Sequence, residues 1–200
     1  MSRKILSITK KKKIPVRLRP GIYEDFPEAD LHAILRGADD IVWSGGRTLL
    51  TKLLKGSEDK GVLARALDDS PVYGYFSEHT LKDIQQRIDW VMAKGYLTYE
   101  YDRNMPLLVH SAKGWEIVKR IRCDELLSHF DIQLMSEVPP YDMDYLKGRN
   151  RQLMLQFLRA VAATEDPKYL PLLRTWRADE FNVVRDGIDE AIAVLAAEED

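Results

Sequence analysis

The sequence predicts an α+β, mostly α fold: a three-helix core carrying a β-hairpin wing, followed by a small α-helical extension. Three observations predict it. Residues 77–94 place Leu81, Ile84, Ile88, Val91 and Met92 at helical spacing, between Ser77, a residue suited to cap a helix start, and Gly95, suited to end one. Tyr96–Tyr101 and Pro106–His110 then read as two strands around an Asp102-Arg103-Asn104 turn, with Pro106 where a missing donor is tolerated. Residues 145–200 return to helical spacing throughout. A helix followed by a two-stranded ribbon is the back half of a winged helix.

The front half precedes it. Gly45-Gly46 opens a helix over Arg47–Lys55 that turns Leu49, Leu50, Leu53 and Leu54 inward, and Gly56 ends it. Ser57 is placed to cap the next helix, which carries Val62, Leu63, Ala66 and Leu67. Asp68-Asp69-Ser70-Pro71 breaks the chain, and Val72–Phe76 reads as a short aromatic strand. The helix over 77–94 has a second stripe of His79, Lys82, Asp83, Gln86, Arg87, Trp90 and Lys94 facing the other way.

These residues also carry a resemblance. Gly46-Arg47-Thr48-Leu49-Leu50, Leu54-Lys55-Gly56-Ser57-Glu58-Asp59-Lys60, Tyr73-Gly74 and Gly95-Tyr96-Leu97 resemble the RQC winged-helix domain of RecQ-family DNA helicases. Ser111-Ala112-Lys113-Gly114-Trp115 is similar to the turn into that domain's closing helix. The resemblance covers residues 44–120, and its most specific piece is the Leu-Lys-Gly-Ser run at a helix junction. It implies duplex or forked DNA as partner, with the junction touching phosphates and the wing reaching the strands. Family members that separate strands carry a long hairpin with an aromatic wedge near its tip; the turn here is short, so binding follows from the resemblance more directly than unwinding does.

Composition sets the frame. Two hundred residues, 45% of them hydrophobic, suffice for one large or two small domains with a core. No apolar run approaches the roughly 20 residues a membrane-crossing helix needs, and the basic N-terminus lacks the apolar stretch of a signal peptide. A lone Cys123 allows no internal disulfide and no cysteine zinc site, which points to a reducing cytoplasm; a bacterial-type, nucleoid-associated protein is what the RQC resemblance implies. The net charge of −2 hides a strong polarity. Residues 1–20 hold eight Lys or Arg and no acid; residues 21–43 are net −5, 44–122 net +3, 123–160 net −2 and 161–200 net −6. A basic front and an acidic back suit one half that faces DNA and another that faces something else. The expected organisation is a basic extended arm over 1–20, an acidic lead-in with a short helix (Asp30–Arg36) over 21–43, the winged domain over 44–123, a connecting segment over 124–144 and a helical domain over 145–200. In the arm, the Lys10–Lys13 block repels itself and Pro15 and Pro20 discourage helix. It reads either as a phosphate-binding arm or as a solvated tail or a strand packed on the domain. Tyr23 and Phe26 are expected to tuck into the body.

Fourteen positions are candidate DNA contacts. Arg47 and Thr48 stand at a helix start, and Lys55, Gly56, Ser57 and Lys60 at a helix junction, where backbone N–H groups favour phosphate. His79, Lys82, Gln86 and Arg87 lie on the outer stripe of the third helix and could approach base edges, although Asp83 and Asp89 make it poor in net charge for a major-groove reader. Tyr101, Arg103, Asn104 and Met105 form the wing tip, with Arg103 and Asn104 reaching phosphates and Tyr101 or Met105 placed to stack on a terminal base pair; Asp102 opposes them. Each has a structural alternative as a cap, a solvated side chain or a core contact.

Further on, Trp115, Ile117, Val118 and Ile121 mark the buried side of a closing helix that carries Lys113, Lys119, Arg120 and Arg122, and Leu126, Leu127, Phe130 and Ile132 suggest that it continues. Asp142-Met143-Asp144 lacks a third ligand at useful spacing and reads as loop. Tyr145–Ala163, Tyr169–Trp176 and Asp179–Glu198 read as three helices, the last with Phe181, Val184, Ile188, Ala191, Ile192 and Leu195 as its core stripe. The Asp166–Leu195 pattern, with Val184-Arg185 and Ala191 through Leu195, resembles a HEAT repeat, and one such unit needs a surface to dock on. Its acidic helices suit a protein partner.

Catalysis finds no motif. The sequence has no phosphate-binding Gly-x-x-x-x-Gly-Lys-Ser/Thr loop, no Gly-x-Gly-x-x-Gly and no His-Glu-x-x-His, and its four histidines are scattered. The reading is therefore a non-catalytic DNA-binding protein without cofactor or metal. Two alternatives stay open: a protein–protein adaptor, or a sequence-specific winged-helix regulator of transcription.

Overall fold

The computed structural model describes residues 16–136 and 138–197, so the Lys10–Lys13 block and the Glu198–Asp200 end lie outside the described residues. These residues form two compact units that divide between Val118 and Lys119.

The first unit is a winged helix. Its helices are α1 (Glu28–Asp40), α2 (Arg47–Lys55), the single turn α3 (Lys60–Leu63) and α4 (Leu81–Ala93), followed by strands β1 (Leu97–Asp102) and β2 (Met105–His110) and the first residues of α5 (Ala112–Ser136). The strands pair antiparallel from Leu97 opposite His110 to Asp102 opposite Met105, leaving Arg103-Asn104 as a two-residue turn. Residues 43–45 run beside β2, Trp43 N–H donating to Leu108 O and Leu108 N–H to Gly45 O. Ile34, Leu35 and Ala38 of α1, Ile41 just after it, Leu50, Leu53 and Leu54 of α2, and Ile84, Ile88 and Val91 of α4 are fully buried together with Val62, Phe76, Leu97, Leu108 and Val118. Helix α2 runs over Arg47–Lys55 between Gly46 and a left-handed Gly56, as its spacing predicts.

Elsewhere the local signals resolve differently. The cap of α4 is Thr80, not Ser77: its hydroxyl accepts from Asp83 N–H and the Asp83 carboxylate accepts from Thr80 N–H. Residues 70–79 are wound into successive turns (Tyr73 N–H to Ser70 O, Ser77 N–H to Gly74 O, His79 N–H to Phe76 O), so Val72–Phe76 is no strand and the helix starts only once these end. Leu81, in the first turn, is then half exposed rather than part of the apolar stripe. Asp59, not Ser57, caps α3 by accepting from Gly61 N–H at 2.9 Å. That helix ends at Leu63, which is exposed, and Ala66 beyond it is left-handed, so the helix does not carry on to Ala66 and Leu67. Helix α1 extends to Asp40, beyond the short helix expected there.

The second unit comprises the rest of α5, then α6 (Arg151–Ala162), α7 (Leu170–Asp179) and α8 (Asn182–Ala196). Asn150 caps α6 by accepting from Gln152 and Leu153 N–H, which shortens the helix expected from Tyr145. Phe130, Phe157 and Trp176 centre its core, Phe130 and Phe157 meeting edge to face at 4.9 Å. Helix α8 contributes Ile188, Ala191 and Leu195, while Phe181 precedes the helix and is exposed instead of joining that stripe. Asp142 and Asp144 sit in a turn, where the Asp142 carboxylate accepts from Asp144 N–H and Asp144 pairs with Lys147. Among the described residues no helix is long and apolar enough to cross a membrane, and no group of three potential metal ligands gathers.

Candidate nucleic-acid interface

The start of α2 faces the wing. Gly45 and Gly46 bring the chain against β2 so closely that a Cβ on Gly46 would lie 3.0 Å from Pro106 O. No side chain caps the helix; Leu49 and Leu50 N–H donate to Gly46 O, and among the described hydrogen bonds the N–H groups of Arg47 and Thr48 have no acceptor. The helix start opens into a groove of about 460 Å³ lined by Arg47, Thr48, Lys52, Asp59, Arg65, Tyr99 and Met105. Asp59 is held below the usual carboxylate range by the hydrogen bond from Lys52, at 2.8 Å, and by Gly61 N–H. Burial pushes the Tyr99 phenol up to about 12 against the pull of Arg47, so it stays neutral.

The helix junction is built by two touching glycines. Gly56 and Gly74 both take left-handed backbone, and a Cβ on Gly56 would lie 3.0 Å from Gly74 Cα. This contact folds the 74–76 turn onto the end of α2, where Gly74 N–H donates to Leu53 O and Phe76 N–H to Leu54 O. Lys55 extends across the same joint and donates to Ser77 O and His79 O, so its ammonium stitches two turns together. Ser57 accepts from Asp59 N–H at 3.3 Å, and Lys60 is exposed.

The outer stripe of α4 is mostly occupied by protein. Arg87 pairs with Asp30 of α1 and lies 5.3 Å from the ring centres of both Tyr23 and Phe76. The His79 ring packs edge-on against Phe76, near the Arg87 guanidinium. Trp90, placed on the outward stripe by its spacing, is half buried: Phe26 stacks on it at 4.0 Å and Tyr23 meets it edge-on. The lead-in thus covers this stripe, with Tyr23 and Phe26 tucked in as expected. Asp89, also on it, is buried and paired with Arg47, which ties α4 to the start of α2. Lys82 remains exposed and Gln86 partly so.

At the wing tip Arg103 is exposed on a left-handed backbone, Met105 is exposed beside it, and Tyr101 and Asn104 are half buried. The structure therefore brings Arg47, Thr48 and Met105 to one groove, joined by Lys52 and Arg65, which spacing alone did not single out. No local pattern marks those two: they meet only because α3 folds back beside α2. It assigns the side chains of Lys55, His79 and Arg87 to internal contacts.

No curated protein and no solved structure matches the chain. The family model of the RQC domain matches residues 28–126. The match runs from the first residue of α1 through the winged core and the wing into α5, and it ends before α7 and α8, which carry the HEAT-like pattern. In RecQ helicases the RQC domain is a DNA-binding winged helix. Residues 28–126, just under half of the chain, are therefore consistent with an RQC domain.

Proposed function

We propose that the chain binds duplex or branched DNA through its RQC domain and performs no chemistry of its own. The observation that supports this best is the groove between the uncapped first turn of α2 and the wing. The N–H groups of Arg47 and Thr48 and the positive end of the helix dipole suit a phosphate there. Lys52 and Arg65 add charge, and Lys60 continues the cationic path toward the junction with Gly56 and Ser57. Arg47 contributes through its position at the helix start while its guanidinium answers Asp89. Arg103 and Asn104 approach the backbone from the wing, and Met105 and Tyr101 offer apolar surface to an end base pair. Lys55, His79 and Arg87 act here by shaping the junction and α4, and Lys82 and Gln86 by direct contact.

The test is fluorescence anisotropy with blunt, forked and single-stranded DNA across a salt series. Duplex and fork affinity fall steeply with salt, and Thr48→Glu with Lys60→Glu weakens both at least tenfold, since a carboxylate in the groove and another on the path toward the junction repel phosphate. Arg103→Glu lowers any preference for fork over blunt duplex. Absence of binding to all three DNAs at low salt rules the proposal out.

A further inference from the structure

The segment just before α1 is tied to α4 by its backbone. Arg19 N–H donates to the Asp89 carboxylate at 2.7 Å, Gly21 N–H donates to Gln86 O at 3.3 Å, and Leu18 packs on the core of the first unit. The other oxygen of Asp89 pairs with Arg47, whose guanidinium also reaches Arg17 O at 3.4 Å. One buried carboxylate therefore fixes both the segment and the start of α2. The segment runs along the stripe Lys82, Gln86, Asp89, which is one face of α4 at i, i+4 and i+7.

This anchoring uses Leu18 and main-chain atoms, and leaves the side chains of Arg17 and Arg19 exposed. With Val16, Arg47, Lys82, Gln85 and Gln86 they line a groove of about 520 Å³. It holds four cationic side chains against one carboxylate, Asp89, whose charge is already met by Arg47. The carboxylate of Asp83, close by on α4, is turned to the Thr80 hydroxyl and N–H. The glutamines supply neutral donors.

We infer that residues 16–20 and α4 together form a second phosphate track, which takes the backbone of one DNA strand. The inference rests on the DNA-binding reading above and adds to its Lys82 and Gln86 the segment 16–20, which that reading leaves out. A long polyanion suits the track better than a short acidic ligand, because the chain leading into it, residues 1–15, adds six Lys or Arg and no acid. The covered stripe also fixes the mode of contact. A helix overlaid by another segment cannot lie bare in a major groove, so Arg17, Arg19 and Lys82 meet phosphates and carry no base readout.

The experiment measures the salt dependence of duplex binding by the full chain and its variants, using two duplexes of unrelated sequence. Each lost phosphate contact reduces the slope of log K against log salt by about 0.9. Arg17→Ala with Arg19→Ala is expected to flatten the slope by about 2 and Lys82→Ala by about 1, equally for both duplexes. Backbone amide signals of Leu18, Arg19, Gln86 and Asp89 shift on adding duplex. Suppose the wild type binds and Thr48→Glu with Lys60→Glu weakens it, while the arginine pair leaves slope and amide signals unchanged. The track is then overturned and the α2 groove stands. A wild-type chain that binds no duplex overturns both.

Discussion

Asp89 is a buried carboxylate with two tasks, and its partner Arg47 is the sole side-chain cation paired with it in the structure's described contacts. Removing Arg47 strands a negative charge in the core, whereas removing the charge itself does not. Arg47→Ala is therefore expected to cost about 3 kcal/mol, and Asp89→Asn, which keeps an acceptor for Arg19 N–H, clearly less. Urea denaturation of the two variants checks the order; a larger loss for Asp89→Asn contradicts it. Cys123 has the opposite character. It is buried, and burial pushes its thiol up to about 11. In the folded chain the thiolate fraction at neutral pH is then about 100-fold lower than in the unfolded chain, and iodoacetamide labelling should slow at least as much. The neutral thiol is the stable form in the fold, so its contribution to stability is complete below the unfolded value near 9 and is lost as pH climbs toward 11.

At the scale of elements, caps and glycines determine where the helices begin and how closely they approach. Thr80 and Asp83 close a capping box on α4, so Thr80→Ala is expected to cost about 1 kcal/mol. Ser77→Ala, four residues from the first helical position, should change stability little. Both are read from the shift in thermal midpoint. Gly114 is more demanding. It lies in the first turn of α5, where an added Cβ would come within 2.1 Å of Tyr96 O, and Ser111, just before the helix, also hydrogen-bonds Tyr96 O. Gly114→Ala must push α5 off the start of β1 and should cost about 3 kcal/mol. Gly95, with nothing near its Cβ, pays only for its left-handed backbone when replaced, about 1 kcal/mol. Denaturant midpoints of the two alanine variants separate these mechanisms.

For the whole molecule, a net charge of −2 is a poor guide to what it binds, because the charges are sorted along the chain. The cations of residues 1–20 stand at the start of the unit proposed to meet DNA, and the acids of 161–200 fall in the other. Binding to duplex should accordingly be steeply salt-dependent despite the overall acidity, and reversing Glu190 and Asp186 to lysine should alter it far less than Lys60→Glu does. Anisotropy at 50 and at 200 mM salt tests this; a larger effect of the acidic pair would place the DNA contact elsewhere.

The sequence by itself determined the limits of α2 and the presence of a helix followed by a hairpin, because leucine spacing and paired glycines are local codes that neighbouring residues do not override; the strands themselves run one residue further into the turn than expected, Leu97–Asp102 and Met105–His110, with Pro106 second in the return strand. The RQC resemblance was legible for the same reason: its marks are short runs at helix ends. Local codes also misled where two candidates competed within a few residues. Ser77 and Ser57 have the chemistry of caps, but the turns over 70–79 and the Asp59 carboxylate settle the helix starts at Thr80 and Asp59. Only the tertiary structure decided which cations stay exposed. Arg87 and Lys82 occupy similar positions in the sequence pattern, yet Asp30 and Tyr23 arrive from outside α4 to bury the one and leave the other. Trp90 is covered by Phe26 from 64 residues earlier, and Asp89 gathers Arg47 and Arg19 from two distant segments. Pairings of such separation depend on the closure of the whole chain around its core, and no periodicity within a helix records them.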